Sequence, residues 1–162
     1  MMPTRLRRLR QQPRLRDLVR EQSLTVNDVV LPLFIKEGNN IKTPIASMPG
    51  HYQWSIDQLD SEIEEVVRLN IPAVILFGIP AKKDEQGSAS WQEDGVIQQA
   101  IRKIKSIAPG LLVIADCCFC EYTSHGHCGV LIDKTNGRID VDNDKTLTLL
   151  AKQALSLAEA GA

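Results

Sequence analysis

The sequence predicts an α/β fold in which parallel strands are covered by helices, and two observations support this. Three short apolar runs, at 29–35, 73–77 and 111–115, are hydrophobic on both faces, as is typical of buried parallel strands. A helical pattern follows each run, so the order strand–helix occurs three times. Two architectures have this order: an open doubly wound sheet, or part of a (β/α)8 barrel. The loops after the strands are long, and a barrel enzyme carries its active site on these loops.

The first strand–helix unit combines the strand 29–35 with a helix over 55–70. In that helix, apolar residues recur at helical spacing and predict a buried stripe. The stripe consists of Leu59, Ile63, Val66 and Val67. Ser55 and Gln58 match a capping box at the start of the helix, and Asn70 is expected to end it.

The second unit consists of a buried strand over 73–77, a polar loop over 78–95 and a helix that begins at Val96. The loop has neither helical nor strand periodicity, and loops of this length inside compact domains usually have a function. The helix is predicted by a stripe made of Val96, Ile97, Ala100, Ile101 and Ile104.

The third unit begins with the strand 111–115 and ends with a helix that we expect Asn143 to cap. The inner face of this helix is predicted to be Leu147, Leu150, Ala151, Ala154, Leu155 and Ala158. Gly161 suits the position after the helix. A fourth strand would be expected next, because a sheet of three parallel strands leaves an apolar edge unpaired. Residues 28–162 are therefore interpreted as three βα units, truncated before strand 4.

Residues 1–27 are interpreted as a basic N-terminal arm, extended or helical, with seven arginines between positions 5 and 20. No apolar stretch follows them, as a signal peptide would require, and no run approaches the roughly 18 apolar residues of a membrane span. The arm lacks aromatic residues for stacking on bases. Packing on a partner subunit is therefore favoured over nucleic-acid binding, and the net charge of -1 does not indicate a nucleic-acid or membrane partner.

A metal-like cluster lies in the segment DCCFCEYTSHGHCG, residues 116–129. Cys118, Cys120 and Cys128 have the spacing C-x-C-x7-C, which is typical of thiolate ligands for zinc. Three protein ligands would leave the fourth position open, as in a catalytic zinc site. Two alternatives remain: inert buried cysteines, or a closed structural zinc that uses His125 or His127 as its fourth ligand.

Other residues of this segment have less specific interpretations. Asp116 lies at the end of the third strand, where it could take part in proton transfer or cap the loop. Cys117 is expected to face away from its neighbours and to be buried by packing. His127 could lie beside the metal or bind a second one, and His125 could stack or donate a hydrogen bond. All four cysteines lie within twelve positions, so a disulfide framework is disfavoured and a reducing cytoplasm is expected.

These motifs resemble the 5-aminolevulinate dehydratase family, also called porphobilinogen synthase. The resemblance covers essentially the whole chain. It rests on the segments DCCFCEYTSHGHCGVL, RLRRLRQQPRLRDLVRE, VVLPLFIKEG, SMPGHYQWSIDQL, IPAVILFGIP, KDEQGS and VDNDKTL. It implies the N-terminal part of a (β/α)8 TIM barrel preceded by an arm that wraps a neighbour in a homo-octamer. The implied reaction condenses two molecules of 5-aminolevulinate to porphobilinogen, in the synthesis of haem and other tetrapyrroles.

The resemblance also implies roles for particular residues. Cys118, Cys120 and Cys128 match the zinc ligands, Asp116 matches an aspartate near two Schiff-base lysines, and His127 matches a position that holds a second metal in some members. Those lysines, and the residues that bind magnesium in many members, belong to the second half of the family fold. We therefore expect the 162-residue chain to be inactive alone. A stand-alone zinc-binding or interaction module is the alternative.

Overall fold

The computed structural model describes residues 5–133 and 137–162. The strands are β1 (Val30–Lys36), β2 (Lys42–Pro44), β3 (Tyr52–Trp54), β4 (Ala73–Ile79), β5 (Leu112–Ala115), β6 (Leu131–Asp133) and β7 (Ile139–Val141). The α-helices are α1 (Arg8–Gln11), α2 (Pro13–Leu18), α3 (Asp60–Arg68), α4 (Val96–Ile107) and α5 (Asn143–Ala160). No described helix has the length and apolar character needed to cross a bilayer.

The predicted parallel sheet is confirmed, with strand order β2-β3-β1-β4-β5. β1, β4 and β5 are the three strands predicted from apolar runs, and they pair in parallel, with Val30 opposite Ala73 and Ala73 opposite Leu112. β3 pairs in parallel with β1, while β2 pairs antiparallel with β3. The sheet formed by the described residues is open, so a complete barrel is not present and the structure shows only part of one.

One face of the sheet carries the core. Leu33, Leu76 and Val113 are buried beneath the helices and alternate with partly or fully exposed neighbours along their strands. α4 lies at the centre of this layer, between α3 and α5, and contacts β1, β4 and β5. Its predicted stripe is confirmed, since all five residues are buried.

The opposite face of the sheet is apolar but uncovered by the described residues. Phe34 and Phe77 stack there with ring centroids 5.4 Å apart, and Leu112 and Ile114 of the edge strand β5 are exposed. In a closed barrel, this face would line the interior.

The start of the first helix differs from the prediction. Residues Ile56–Gln58 form a 3-10 helix, and α3 begins only at Asp60. Ser55 makes no capping bond, because its Oγ instead accepts a hydrogen bond from the Ile41 backbone N–H at 2.8 Å. Leu59, Ile63 and Val66 are buried as predicted, whereas Val67 is exposed. Asn70 ends the helix with a φ of 56°, as expected.

The inner face predicted for the last helix is wrong. Leu147 and Leu155 are 62% and 61% exposed, and the buried residues of α5 are Thr146, Gln153, Leu157 and Ala160. The cap is Asp142 rather than Asn143, because the Asp142 carboxylate accepts a hydrogen bond from the Lys145 backbone N–H. Gly161 follows the helix with a φ of 109°, as predicted. Helix α5 is thus rotated about its axis relative to the predicted orientation, and its polar side chains bind the segment that contains the cysteines.

The basic arm contains the two short helices α1 and α2. Its large apolar side chains Leu6, Leu18 and Leu24 are exposed, as are its arginines. The sequence did not predict the short strands β2, β3, β6 and β7.

Candidate metal centre

The three cysteines singled out by spacing converge on one point after β5. The Cys118 Sγ lies 3.3 Å from the Cys120 Sγ and 3.2 Å from the Cys128 Sγ. All three sulfur atoms lie within 4.8 Å of one another, and among the described residues no histidine or carboxylate joins them. The closed four-ligand site with His125 or His127 is therefore not formed in this structure.

The donor set fits a single zinc ion. A tetrahedral zinc with Zn–S bonds of about 2.3 Å places its sulfur ligands roughly 3.8 Å apart, so small shifts of the thiols would accommodate it. Soft thiolates select zinc and other thiophilic metals over magnesium or calcium. Three ligands also leave one coordination position free for water or a substrate oxygen.

The mutual proximity of the thiols controls their protonation. Hydrogen bonding with Cys118, together with burial, raises the pKa of Cys120 to about 12. The hydrogen bond with Cys118 likewise raises the pKa of Cys128. These two thiols therefore keep their protons at neutral pH, and an incoming metal must displace them.

The polar loop after β4 supports the cysteine segment from one side. The Asp84 backbone N–H donates to the Tyr122 carbonyl at 3.3 Å, and the Ser124 N–H donates to the Asp84 carbonyl at 2.9 Å. His125 contacts the Glu85 carbonyl through Nε2 at 3.0 Å. The functional role expected for this loop thus includes holding the cysteine segment in place.

Two aromatic side chains anchor the segment in the core. Phe119 is fully buried and lies edge-on to Trp91, with centroids 6.1 Å apart. Tyr122 is buried against Gly78 of β4, so closely that a Cβ at that position would collide with the phenol oxygen. Burial also raises the pKa of Tyr122, which keeps the hydroxyl protonated. The segment is thereby held against the end of β4.

Helix α5 supports the segment from the other side. The Gln153 side-chain amide donates to the Cys118 carbonyl at 3.1 Å, and the Thr146 Oγ1 accepts from the Val130 N–H at 3.1 Å. Sequence patterns missed both residues. The signal that could have found them is their spacing of seven positions, which places both on the same face of the helix. These bonds favour an orientation of α5 that buries Gln153 and Thr146 together with Leu157 and exposes Leu147 and Leu155.

The remaining candidates lie around the cluster. Cys117 is exposed, so the expected burial is wrong: β5 ends at Ala115, and the alternation of a strand no longer applies beyond it. Asp116 is half-buried at the end of β5, where its N–H donates to the Leu76 carbonyl at 3.2 Å. Burial, with a smaller contribution from Asp116, raises the pKa of the nearby Glu121.

The two histidines lie at the outer side of the segment, with ring centroids 5.6 Å apart. The His125 Nδ1 accepts a hydrogen bond from the His127 backbone N–H at 3.1 Å, which engages that nitrogen within the loop. The His127 ring is exposed.

Comparisons with known proteins agree with this architecture. The family model described as delta-aminolevulinic acid dehydratase matches residues 3–162. Delta-aminolevulinic acid dehydratase of Halalkalibacterium halodurans is 52% identical over 158 residues, which are 98% of this chain and 47% of that protein. The enzyme of the same name from Synechocystis is 52% identical over 164 residues, covering 100% of this chain and 50% of that protein.

A solved structure shares the fold. The crystal structure of delta-aminolevulinic acid dehydratase (porphobilinogen synthase) from Toxoplasma gondii, in complex with the reaction product porphobilinogen, matches with a TM-score of 0.86 and 34% identity. The match covers 99% of this chain and 45% of that one. The chain thus spans about half the length of the relatives it matches. Because the family model covers nearly every residue, the chain belongs to the delta-aminolevulinic acid dehydratase family.

Proposed function

We propose that this chain provides the zinc-binding half of a delta-aminolevulinic acid dehydratase, which condenses two molecules of 5-aminolevulinate to porphobilinogen. The observation that carries the proposal is the convergence of Cys118, Cys120 and Cys128 at the end of β5. Family membership supports the reaction, and the related Toxoplasma enzyme holds porphobilinogen. The functional loops of an α/β sheet lie at this end of its strands.

The three cysteines would hold the metal and leave one position open. A zinc ion there would act as a Lewis acid that polarises a carbonyl oxygen of the substrate. Asp116 is proposed as a catalytic residue. Its backbone N–H donates to the Leu76 carbonyl of β4, and a carboxylate at this start of the cysteine segment could hold or accept a proton. Glu121 keeps its own proton more readily because of burial and the charge of Asp116.

The 162 residues alone are proposed to be inactive. The resemblance places both Schiff-base lysines in the half of the family fold that this chain does not span. Metal binding and condensation would then be separable: these residues bind zinc, while turnover requires the remaining barrel units. Magnesium, where family members use it, and a second metal at His127 would likewise depend on residues beyond the three cysteines.

The exposed arm supports an oligomer. Leu6, Leu18 and Leu24 present apolar surface that the described residues do not cover, as expected if the arm packs on a neighbouring subunit of a homo-octamer in the cytoplasm. A chain that sediments as a monomer at micromolar concentration would contradict the oligomer.

Zinc titration with two matched cysteine variants tests the metal centre. Wild-type chain and Cys117→Ala should each bind about one zinc, because Cys117 lies outside the cluster. Cys118→Ala should bind almost none, since Cys118 contacts both other thiols. Equal zinc content in all three proteins would refute the ligand assignment. Porphobilinogen formation by the purified chain would refute the proposed inactivity.

A further inference from the structure

The buried face of α5 carries two polar side chains where helices usually bury apolar ones. Gln153 is 1% exposed and Thr146 is 5% exposed. They lie seven residues apart, about two helical turns, and therefore on the same face of the helix, roughly 10 Å from each other along its axis. That face lies against the cysteine segment.

Both side chains bind backbone at the ends of the cysteine segment. The Gln153 amide donates to the carbonyl of Cys118, and its Oε1 accepts a hydrogen bond from the Cys117 Sγ at 3.5 Å. Thr146 accepts the backbone N–H of Val130, two residues after Cys128. The first and last thiols of the cluster are thus each fixed to the same helix, within two residues of the sulfur.

Close backbone packing reinforces the second contact. Gly129 lies against α5, and a Cβ added there would clash with the Thr146 side chain and would lie 2.7 Å from the Val141 Cγ1. Within the segment, the Thr123 hydroxyl donates to the His127 carbonyl at 2.8 Å and orders the stretch just before Cys128. The spacing between the two ends of the segment is therefore set by the helix.

A second buried glutamine shows that such burial alone does not create this arrangement. Gln98 of α4 is also 1% exposed, and its amide donates to the Ser90 carbonyl and to the Ser156 hydroxyl. None of those partners belongs to the cysteine segment. Gln98 and Gln153 thus share residue type, burial and number of side-chain hydrogen bonds. They differ in that only Gln153 of the two binds the cysteine segment.

We propose that Gln153 and Thr146 are positioning residues for the metal centre, which clamp the cysteine segment to α5 and bring the three thiols together before a metal binds. This inference rests on the proposed zinc site. Partners that orient metal ligands from outside the coordination sphere typically contribute a factor of about 10–100 to metal affinity. Here the clamp acts on ligand backbone rather than on ligand side chains.

Zinc affinity, measured by competition with a chromophoric chelator, tests the clamp. Gln153→Met removes both hydrogen bonds at similar volume and should weaken zinc binding about 10–100-fold. Gln98→Met likewise removes two hydrogen bonds of a buried side chain, and its zinc affinity should stay within about twofold of wild type. If the two variants bind zinc equally well, the positioning role is refuted, while the zinc site itself stands. A wild-type chain that binds no zinc refutes both.

Thr146→Val supplies a second variant that hardly changes the shape of the core. It removes the acceptor of the Val130 N–H, so hydrogen exchange of that amide should accelerate at least tenfold in chelator-treated protein, and zinc should bind more weakly. Thr148→Val is the control, because the Thr148 hydroxyl is exposed and, among the described residues, its hydrogen bond goes to the Asp144 carbonyl of its own helix. If the hydrogen-exchange rate of the Val130 amide is unchanged in Thr146→Val, the clamp is refuted. This result does not depend on whether the chain binds a metal.

Discussion

Replacing Gly78 by alanine should destabilise the chain through the contact between β4 and the cysteine segment. Gly78 pairs with Ile35 in the middle of the sheet. A Cβ there would overlap the Tyr122 hydroxyl and would lie 3.0 Å from the Tyr122 Cζ and 2.9 Å from the Ile97 Cγ1. Tyr122 is 4% exposed, so its ring is enclosed by neighbouring residues and must displace some of them to avoid the new Cβ.

The magnitude follows from two opposing effects. Overpacking a core of this kind costs about 1–3 kcal/mol. Alanine in a strand is favoured over glycine by roughly 0.5–1 kcal/mol, because glycine loses more backbone entropy on folding. The free energy of unfolding should therefore fall by about 0–2.5 kcal/mol, and the close contact with the Tyr122 hydroxyl favours the upper part of this range. Gly110→Ala is the matched control, since a Cβ at Gly110 meets no atom within 4 Å, and it should leave stability unchanged or slightly raised.

Urea unfolding of the chelator-treated chain is the assay, with midpoints compared at equal slope. The double variant Gly78→Ala with Tyr122→Phe removes the colliding oxygen and should be more stable than the sum of the two single changes predicts. If Gly78→Ala is as stable as Gly110→Ala, then Tyr122 does not lock the segment against β4. A double variant with purely additive losses would show that the hydroxyl is not the source of the clash.

Two further predictions concern the thiols and the orientation of α5. Neighbouring thiols raise the pKa of Cys120 to about 12 and also raise the pKa of Cys128, so zinc must displace at least two protons near neutral pH. The dissociation constant for zinc, measured by chelator competition, should therefore fall at least about 100-fold from pH 7 to pH 8. A fall of about tenfold or less would contradict this. Leu157→Ala should cost about 2–5 kcal/mol in urea unfolding because Leu157 is buried, whereas the exposed Leu155→Ala should cost less than about 0.5 kcal/mol. Equal losses of stability in the two variants would support the predicted inner face, which contains Leu155, instead of the observed one.

The sequence was most informative where burial alone decides structure. β1, β4 and β5 are covered on one face and apolar on the other, so their continuous apolar runs were sufficient to identify them. The pair β2 and β3 was missed because each strand is three residues long. Its stabilisation comes partly from the Lys42 ammonium over the rings of Tyr52 and Trp54, at 5.0 and 4.5 Å, a contact that no periodic pattern shows.

For the candidate metal centre too, the sequence identified some of the residues and missed others. The three cysteines could be identified because ligand type and spacing are local properties of the chain. Gln153 and Thr146 could not, because their partners lie 35 and 16 residues away and are backbone groups. Hydrophobic periodicity assigned the leucine-rich face of α5 to the core, since the pattern contains no information on which carbonyl or N–H will need a partner.

The described residues supply several supports for the cysteine segment. β4 contributes Gly78, the following loop contributes Asp84, and α5 contributes Gln153 and Thr146. None of these contacts depends on the uncovered face of the sheet, where Leu112 is exposed and where further barrel units would pack. The thiols are therefore placed by local structure, independently of barrel closure. If the proposed zinc site is formed by these thiols, we expect zinc to bind without further barrel units, so that a chain without dehydratase activity would still hold the metal.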